Sequence, residues 1–381
     1  LLLQRKFQEI LETVIPNTPQ LRRVAQIYTL RGRAYYELGM VEQARKGFEQ
    51  ARELAPDSLG PLFGLTQVAL RQNDLYEAEQ LIARARSLAP NNAEAWYNTA
   101  QVLLASGDAQ GALAAYSRTI ELRERHMRAR LGRSRLLLRM RRYESALADA
   151  QWAAENQKYD PEPPFLASQA LLALGREDEA QEALKESRSR LTQLKTEFVN
   201  SRPGLLRVAA MLSFADNNLE QANYYLTLYV NDSPYDMEMR KVLGKVRLRL
   251  GDADGAVSAL YPALALNQGD SELLYLLGDA LLRSGKYGEA FHLLERSIEA
   301  DTESASVLTK LALSRMGLGE SELALAELEK ALALTDSRSN VQAGVILATI
   351  YIKRGKLEEA MQVARTLLAR APKNPLLHNL Q

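Results

Sequence analysis

Small and apolar residues mark this chain at a fixed interval. Ala44, Ala78, Ala112, Ala146 and Ala180 stand 34 residues apart. Ala222, Ala256, Ala290 and Ala324 keep the same interval, and Ala360 follows two residues late. Self-similarity at such a period predicts a repeat architecture in which each unit is one supersecondary element. Ten units follow, starting at Ala25, Leu59, Ala93, Met127, Pro161, Pro203, Met237, Ser271, Ala305 and Val341. Each reads as two helices parted by a turn. A glycine stands five residues before the alanine as Gly39, Gly107, Gly175, Gly251, Gly285, Gly319 and Gly355. Glycine suits a turn that needs left-handed backbone. Pro56, Pro90, Pro234 and Pro372 close several units, where a helix has ended. Small residues at Gly32, Thr66, Ala100, Ser134, Ser168, Ala210, Gly244, Gly278, Ala312 and Ala348 let helices approach closely. One such pair cannot bury its apolar face alone, so stacking on neighbours supplies the stability.

The first unit reads Gly32, Tyr35, Ala44, Phe48, Ala51, Pro56, and the third adds Trp96. This resembles the tetratricopeptide repeat (TPR) signature nearly residue for residue, over about residues 25–375. The resemblance implies an all-α TPR solenoid, a right-handed superhelix of about ten helix-turn-helix repeats. Residues 25–202 are expected to hold units 1–5 and residues 203–375 units 6–10. Residues 1–24 read as a partial helical repeat, and residues 376–381 as the start of another. With no initiator Met and a helical pattern at both ends, the chain reads as a piece of a longer protein. Eight extra residues, Lys195–Arg202, separate the fifth and sixth units. They follow a helix-like run from Asp178 to Val199 without Gly or Pro. This is either a lengthened second helix or a joint between two five-repeat arrays. A smaller insertion, Asp336–Asn340, precedes the last unit.

Composition narrows the chemistry. There is no cysteine, which excludes disulfides and thiolate chemistry. No apolar run is long enough for a transmembrane helix. His126, His292 and His378 lie in distant repeats and in no metal-ligand spacing. No phosphate-binding loop or nucleophile elbow occurs, and carboxylate pairs such as Glu358–Glu359 read as solvated helix faces. The chain is expected to be no enzyme and to need no cofactor or metal. The formal net charge of +1 and the lack of a recognised module argue against nucleic acid.

In TPR proteins the first helix of each unit lines the concave surface. Unit positions 2, 5, 9 and 12 share one face of that helix. Position 5 offers Phe63, Tyr97, Leu131, Phe165, Arg207, Lys241 and Tyr275, and position 9 offers Arg33, Gln67, Gln101, Arg135, Gln169 and Lys245. Position 12 is mostly apolar, from Tyr36 and Leu70 to Leu282. Aromatics beside Gln and Arg suit a peptide, or a sugar chain through ring stacking. The fourth unit holds seven arginines between Met127 and Tyr143. They read either as a solvated helix paired to carboxylates or as a site in which Arg128, Arg135 and Arg139 hold an acidic partner. Arg207, Lys241 and Lys245 would extend a basic centre.

Three stretches carry a closer resemblance: LLLQRKFQEILET at Leu1–Thr13, RKVLGKVRLRLGDADGAVSALYPALAL at Arg240–Leu266, and Leu273–Ser314. They are similar to the long TPR proteins of PEP-CTERM/exosortase systems, which accompany exopolysaccharide gene sets. The resemblance implies a non-catalytic periplasmic scaffold, anchored at the outer membrane through a lipid outside this sequence. Its partners would be proteins of a polysaccharide or sorting machine. The alternatives are direct binding of an anionic polysaccharide and a cytoplasmic adaptor that holds peptides.

Overall fold

The computed structural model describes residues 24–300, 304–334 and 339–370, together with residue 11. The expectations for the two chain ends therefore fall almost wholly outside the described residues, as does most of the insertion before the last unit. The described residues hold α-helices and no strand. Two compact units divide the chain, Leu1–Leu212 and Ser213–Gln381.

The first unit pairs α1 (Ala25–Glu37) with α2 (Val41–Leu54), α3 (Leu59–Arg71) with α4 (Leu75–Leu88), and α5 (Ala93–Ala105) with α6 (Ala109–Leu122). It continues with α7 (Met127–Arg139), α8 (Tyr143–Asn156), α9 (Glu162–Ala173), α10 (Glu177–Thr192) and the short α11 (Thr196–Asn200). Helix α12 (Pro203–Ala215) carries the point of division. The second unit holds α13 (Leu219–Asp232), α14 (Met237–Arg249), α15 (Ala253–Leu266), α16 (Ser271–Arg283) and α17 (Tyr287–Ala300). It ends with α18 (Ala305–Gly317), α19 (Ser321–Ala333), α20 (Ser339–Lys353) and α21 (Leu357–Arg370). Each unit is thus a stack of helical hairpins, the α-solenoid that the period predicts.

Local chemistry sets the hairpin. All seven of the phased glycines have positive φ, from 73° at Gly175 to 87° at Gly107. Where the repeat lacks glycine, Asn73, Arg141 and Asn217 take the same left-handed conformation, at 59°, 59° and 57°. Asparagine tolerates it, whereas arginine has no local hydrogen bond to offset the cost. The following residue often starts the second helix. Asp74, Asp108 and Asp252 accept the N–H of Glu77, Gly111 and Gly255 at 2.9, 2.8 and 2.9 Å. Each satisfies one of the donors that a helix leaves open at its N-terminus.

Packing follows the same phase. The second helix sends a large side chain at unit position 24 back toward the small residue at position 8 of the first. A Cβ added at Gly32 would stand 2.7 Å from the Phe48 ring, and one at Gly244 2.6 Å from Leu260. The next repeat closes the same side chain from the other side, since a Cβ at Gly64 would meet the Phe48 ring at 2.3 Å. Tyr116 is held in the same way by Gly132. Phe48, Tyr116, Leu226, Leu260 and Leu294 are buried there, and Phe48, Tyr116, Leu260 and Leu294 tie one hairpin to the next.

The eight-residue insertion departs from a continuous helix. Helix α10 stops at Thr192, and Lys195 takes extended backbone at φ −68° and ψ 139° before α11 begins. After the break Val199 is buried.

Candidate interaction site

The first helices of the repeats present the face that carries positions 2, 5, 9 and 12. In the first unit its charges are joined across repeats. Arg128 Nη2 donates to Glu94 Oε1 at 2.5 Å, one full period away, and the Arg128 guanidinium lies 4.8 Å over the Tyr97 ring. His126 completes this cluster. Its Nδ1 accepts the Ala129 N–H at 3.1 Å, so Nε2 carries the proton it donates to Glu94 Oε2 at 3.2 Å. The bond from His126 and the charge of Arg128 overcome burial and hold the Glu94 carboxyl below its usual value.

Two repeats along from Glu94, buried Glu162 lies between two bases. Arg207 donates to it at 2.7 Å, and Arg135 stands 3.4 Å away. Burial alone would raise the Glu162 pKa, but the two guanidinium groups outweigh it and the net shift is downward. In the second unit Lys241 is also buried. Its ammonium reaches Glu272 at 2.9 Å, Glu238 at 3.0 Å and Asp270 at 3.1 Å. Lys245 pairs with Glu272 as well. Tyr275 shares a 2.7 Å hydrogen bond with Ser306 and packs against Lys310.

The expected basic centre is therefore corrected. Arg128 pairs with Glu94, Arg135 and Arg207 share Glu162, and Lys241 and Lys245 are held by Glu238, Asp270 and Glu272, so each of these bases is tied to a carboxylate of its own or a neighbouring repeat. Of the other arginines of the fourth unit, Arg130 and Arg133 hold buried Asp149 at 3.2 and 2.7 Å, away from this face. Arg139 is exposed, and so is Arg33; among the described residues neither finds an acidic partner. Phe165 and Lys241 are each only 5% exposed, so neither can line an open surface. Phe165 instead packs with Val208 and Leu212.

What the face leaves available is an amide and apolar strip with two free bases. Gln67, Gln101 and Gln169 are half-buried along it, and Gln101 donates to the hydroxyl of buried Tyr116. Phe63 and Tyr97 are half-buried beside them. Tyr36, Leu70, Leu104 and Leu138 form a partly covered apolar row, and Leu172 extends it at 51% exposure. The acids went unread in the sequence, yet Glu94, Glu162, Glu238 and Glu272 all fall at unit position 2. That register was the signal that would have found them.

A stack of helical hairpins with an ion-paired, partly apolar inner face is an interaction scaffold. Tetratricopeptide repeat models match residues 25–58, 63–126, 97–161, 247–314 and 315–381. The chain belongs to the tetratricopeptide repeat proteins, a family whose repeats hold other proteins. The fold is similar to the crystal structure of the APC/C hetero-tetramer Cut9–Hcn1, with a TM-score of 0.61 at 15% identity over 93% of this chain and 75% of that one. It is also similar to MamA, at a TM-score of 0.39 and 22% identity over 43% of this chain and 95% of that one. Pseudomonas aeruginosa pilF is similar at a TM-score of 0.42 and 15% identity, over 58% and 97% of the two chains. These likenesses concern the fold alone. No curated protein sequence matches the chain. No helix among the described residues is long and apolar enough to cross a membrane.

Proposed function

We propose that this chain is a non-catalytic scaffold that holds an extended segment of a partner protein along the inner face of its first unit. The strip between Arg33 and Arg139 carries the reading: it is the stretch of that face where amides, apolar side chains and unneutralised bases coincide. Amides can bond the partner's main chain, the row of Leu70, Leu104, Leu138 and Leu172 can take its apolar side chains, and the two arginines favour an acidic segment. We place the scaffold in the bacterial envelope, on the periplasmic side, supporting exopolysaccharide assembly or export, or the sorting of PEP-CTERM surface proteins. The support for that setting is the resemblance of Leu1–Thr13, Arg240–Leu266 and Leu273–Ser314 to TPR proteins of those systems.

The test is cross-linking capture from the native envelope with wild type and Arg33→Glu/Arg139→Glu. Those two positions are chosen because reversing a paired base such as Arg128 would set it against Glu94 and confuse folding with binding. Capture of an export, synthase or sorting component by wild type, lost in the variant, is the expected result. Equal capture by both proteins would remove the inner face from the reading. Recovery of polymer with no protein would replace the protein partner with a polysaccharide.

A further inference from the structure

The turn between α7 and α8 is built from residues that work against the fold. Arg141 holds left-handed backbone at φ 59°, where seven other turns place glycine and two place asparagine. That conformation disfavours a residue with a Cβ. Arg142 follows at the N-cap of α8 and makes no side-chain cap bond. At the same unit position Asp74, Asp108 and Asp252 each accept an N–H of the helix they open. An arginine there can accept nothing, and its charge lies at the positive end of the helix dipole. Two neighbouring residues that each oppose stability at a turn point to a role outside folding.

The bases of this turn are also left over by the rest of the structure. Arg139, Arg141 and Arg142 are exposed, and none of them meets an acid among the described residues. Residues 139–144 hold these three bases against one acid, Glu144. On one side Asp108 is taken up by the Gly111 N–H. On the other, Glu177 and Asp178 open α10 and reach none of the three. Arg176 stands in the fifth unit where Arg142 stands in the fourth, and Glu179 of its own helix binds it at 2.7 and 2.5 Å. The fourth unit has Ser145 in place of that glutamate. Three guanidinium groups on one short turn suit carboxylates, because each presents its N–H donors as a planar fork. Leu138, of the apolar row of the inner face, directly precedes Arg139, so the turn borders that face.

We infer that Arg141 and Arg142, together with Arg139, form a grip for an acidic stretch of the partner polypeptide at the border of the inner face. The partner's carboxylates supply at Arg142 what Glu179 supplies at Arg176. The inference rests on the reading of the chain as a polypeptide-binding scaffold and assigns the charge selectivity of that binding to this turn.

Fluorescence anisotropy with two short labelled peptides tests it, leucines being set among glutamates in one probe and among glutamines in the other. Wild type should bind the glutamate probe more tightly. Arg141→Gly should raise the urea midpoint by easing the turn, and Arg142→Asp by capping α8. Each should nonetheless weaken binding of the glutamate probe by about tenfold and leave the glutamine probe unchanged. A variant that gains stability and loses binding has not lost it by misfolding. Equal affinity of wild type for the two probes would overturn the inference and leave the inner-face reading standing, whereas no binding of either probe would remove both. Wild-type affinity for the glutamate probe in Arg141→Gly and Arg142→Asp would also overturn it. Displacement of that probe by polygalacturonate at equal carboxylate concentration would give the turn to a polysaccharide instead.

Discussion

The turn between paired helices shows how a single backbone angle selects a residue. Seven glycines, two asparagines and Arg141 occupy that position with positive φ. A left-handed conformation costs a residue with a Cβ about 1–2 kcal/mol. Arg141→Gly should therefore stabilise the protein by about 1 kcal/mol, and Gly107→Ala should destabilise it by a similar amount. Urea unfolding at neutral pH measures both. The glycine at Gly64 answers to packing instead, because its first helix lies against the Phe48 ring. Gly64→Ala should cost about 1–3 kcal/mol through overpacking, and Phe48→Leu should recover part of that loss in the double variant. Both glycine roles are the kind that sequence can announce, since the turn and the contact recur at fixed unit positions. The fate of a particular arginine is different. Arg128 and Arg139 look alike along the chain, yet one is bonded to Glu94 and the other is free.

At the scale of elements, ion pairs join several of the first helices to their neighbours. Glu94, Glu162 and Glu272 have lowered pKa values in the folded protein, despite the opposing effect of burial. A carboxyl whose folded pKa lies below its unfolded value of about 4.3 binds fewer protons when folded. Its stabilisation is therefore present above that pH and is lost as pH falls through the folded pKa. The protein should lose stability on acidification below about pH 4. Glu162→Gln should lower stability by about 3 kcal/mol at neutral pH, because Arg135 and Arg207 remain with no carboxylate between them. The same variant should reduce the acid dependence, as followed by melting temperature against pH. A variant whose acid profile matches wild type would show that Glu162 does not carry this effect. The insertion belongs to this scale too. Helical propensity across Asp178–Val199 favours one continuous helix, yet the helix ends at Thr192 and a short second helix buries Val199.

For the molecule as a whole, two compact units carry repeats of one design, and the inner face of the first differs from that of the second in what it leaves unpaired. In the first unit Arg33 and Arg139 stay free beside an amide and apolar strip; in the second, Lys241 and Lys245 are consumed by three acids. The envelope capture experiment accordingly places its substitutions in the first unit. By itself the sequence determined the repeat phase, the helix pairs, the turn residues and the small residues at helix crossings. Each of these is set by contacts within one period, and each was repeated often enough to be read. Only the tertiary structure decided which bases of the inner face are free, that Phe165 is core, and that the insertion breaks into a short separate helix. Those outcomes depend on side chains about one period or more apart, and a residue's charge carries no record of the partner that stacking brings beside it.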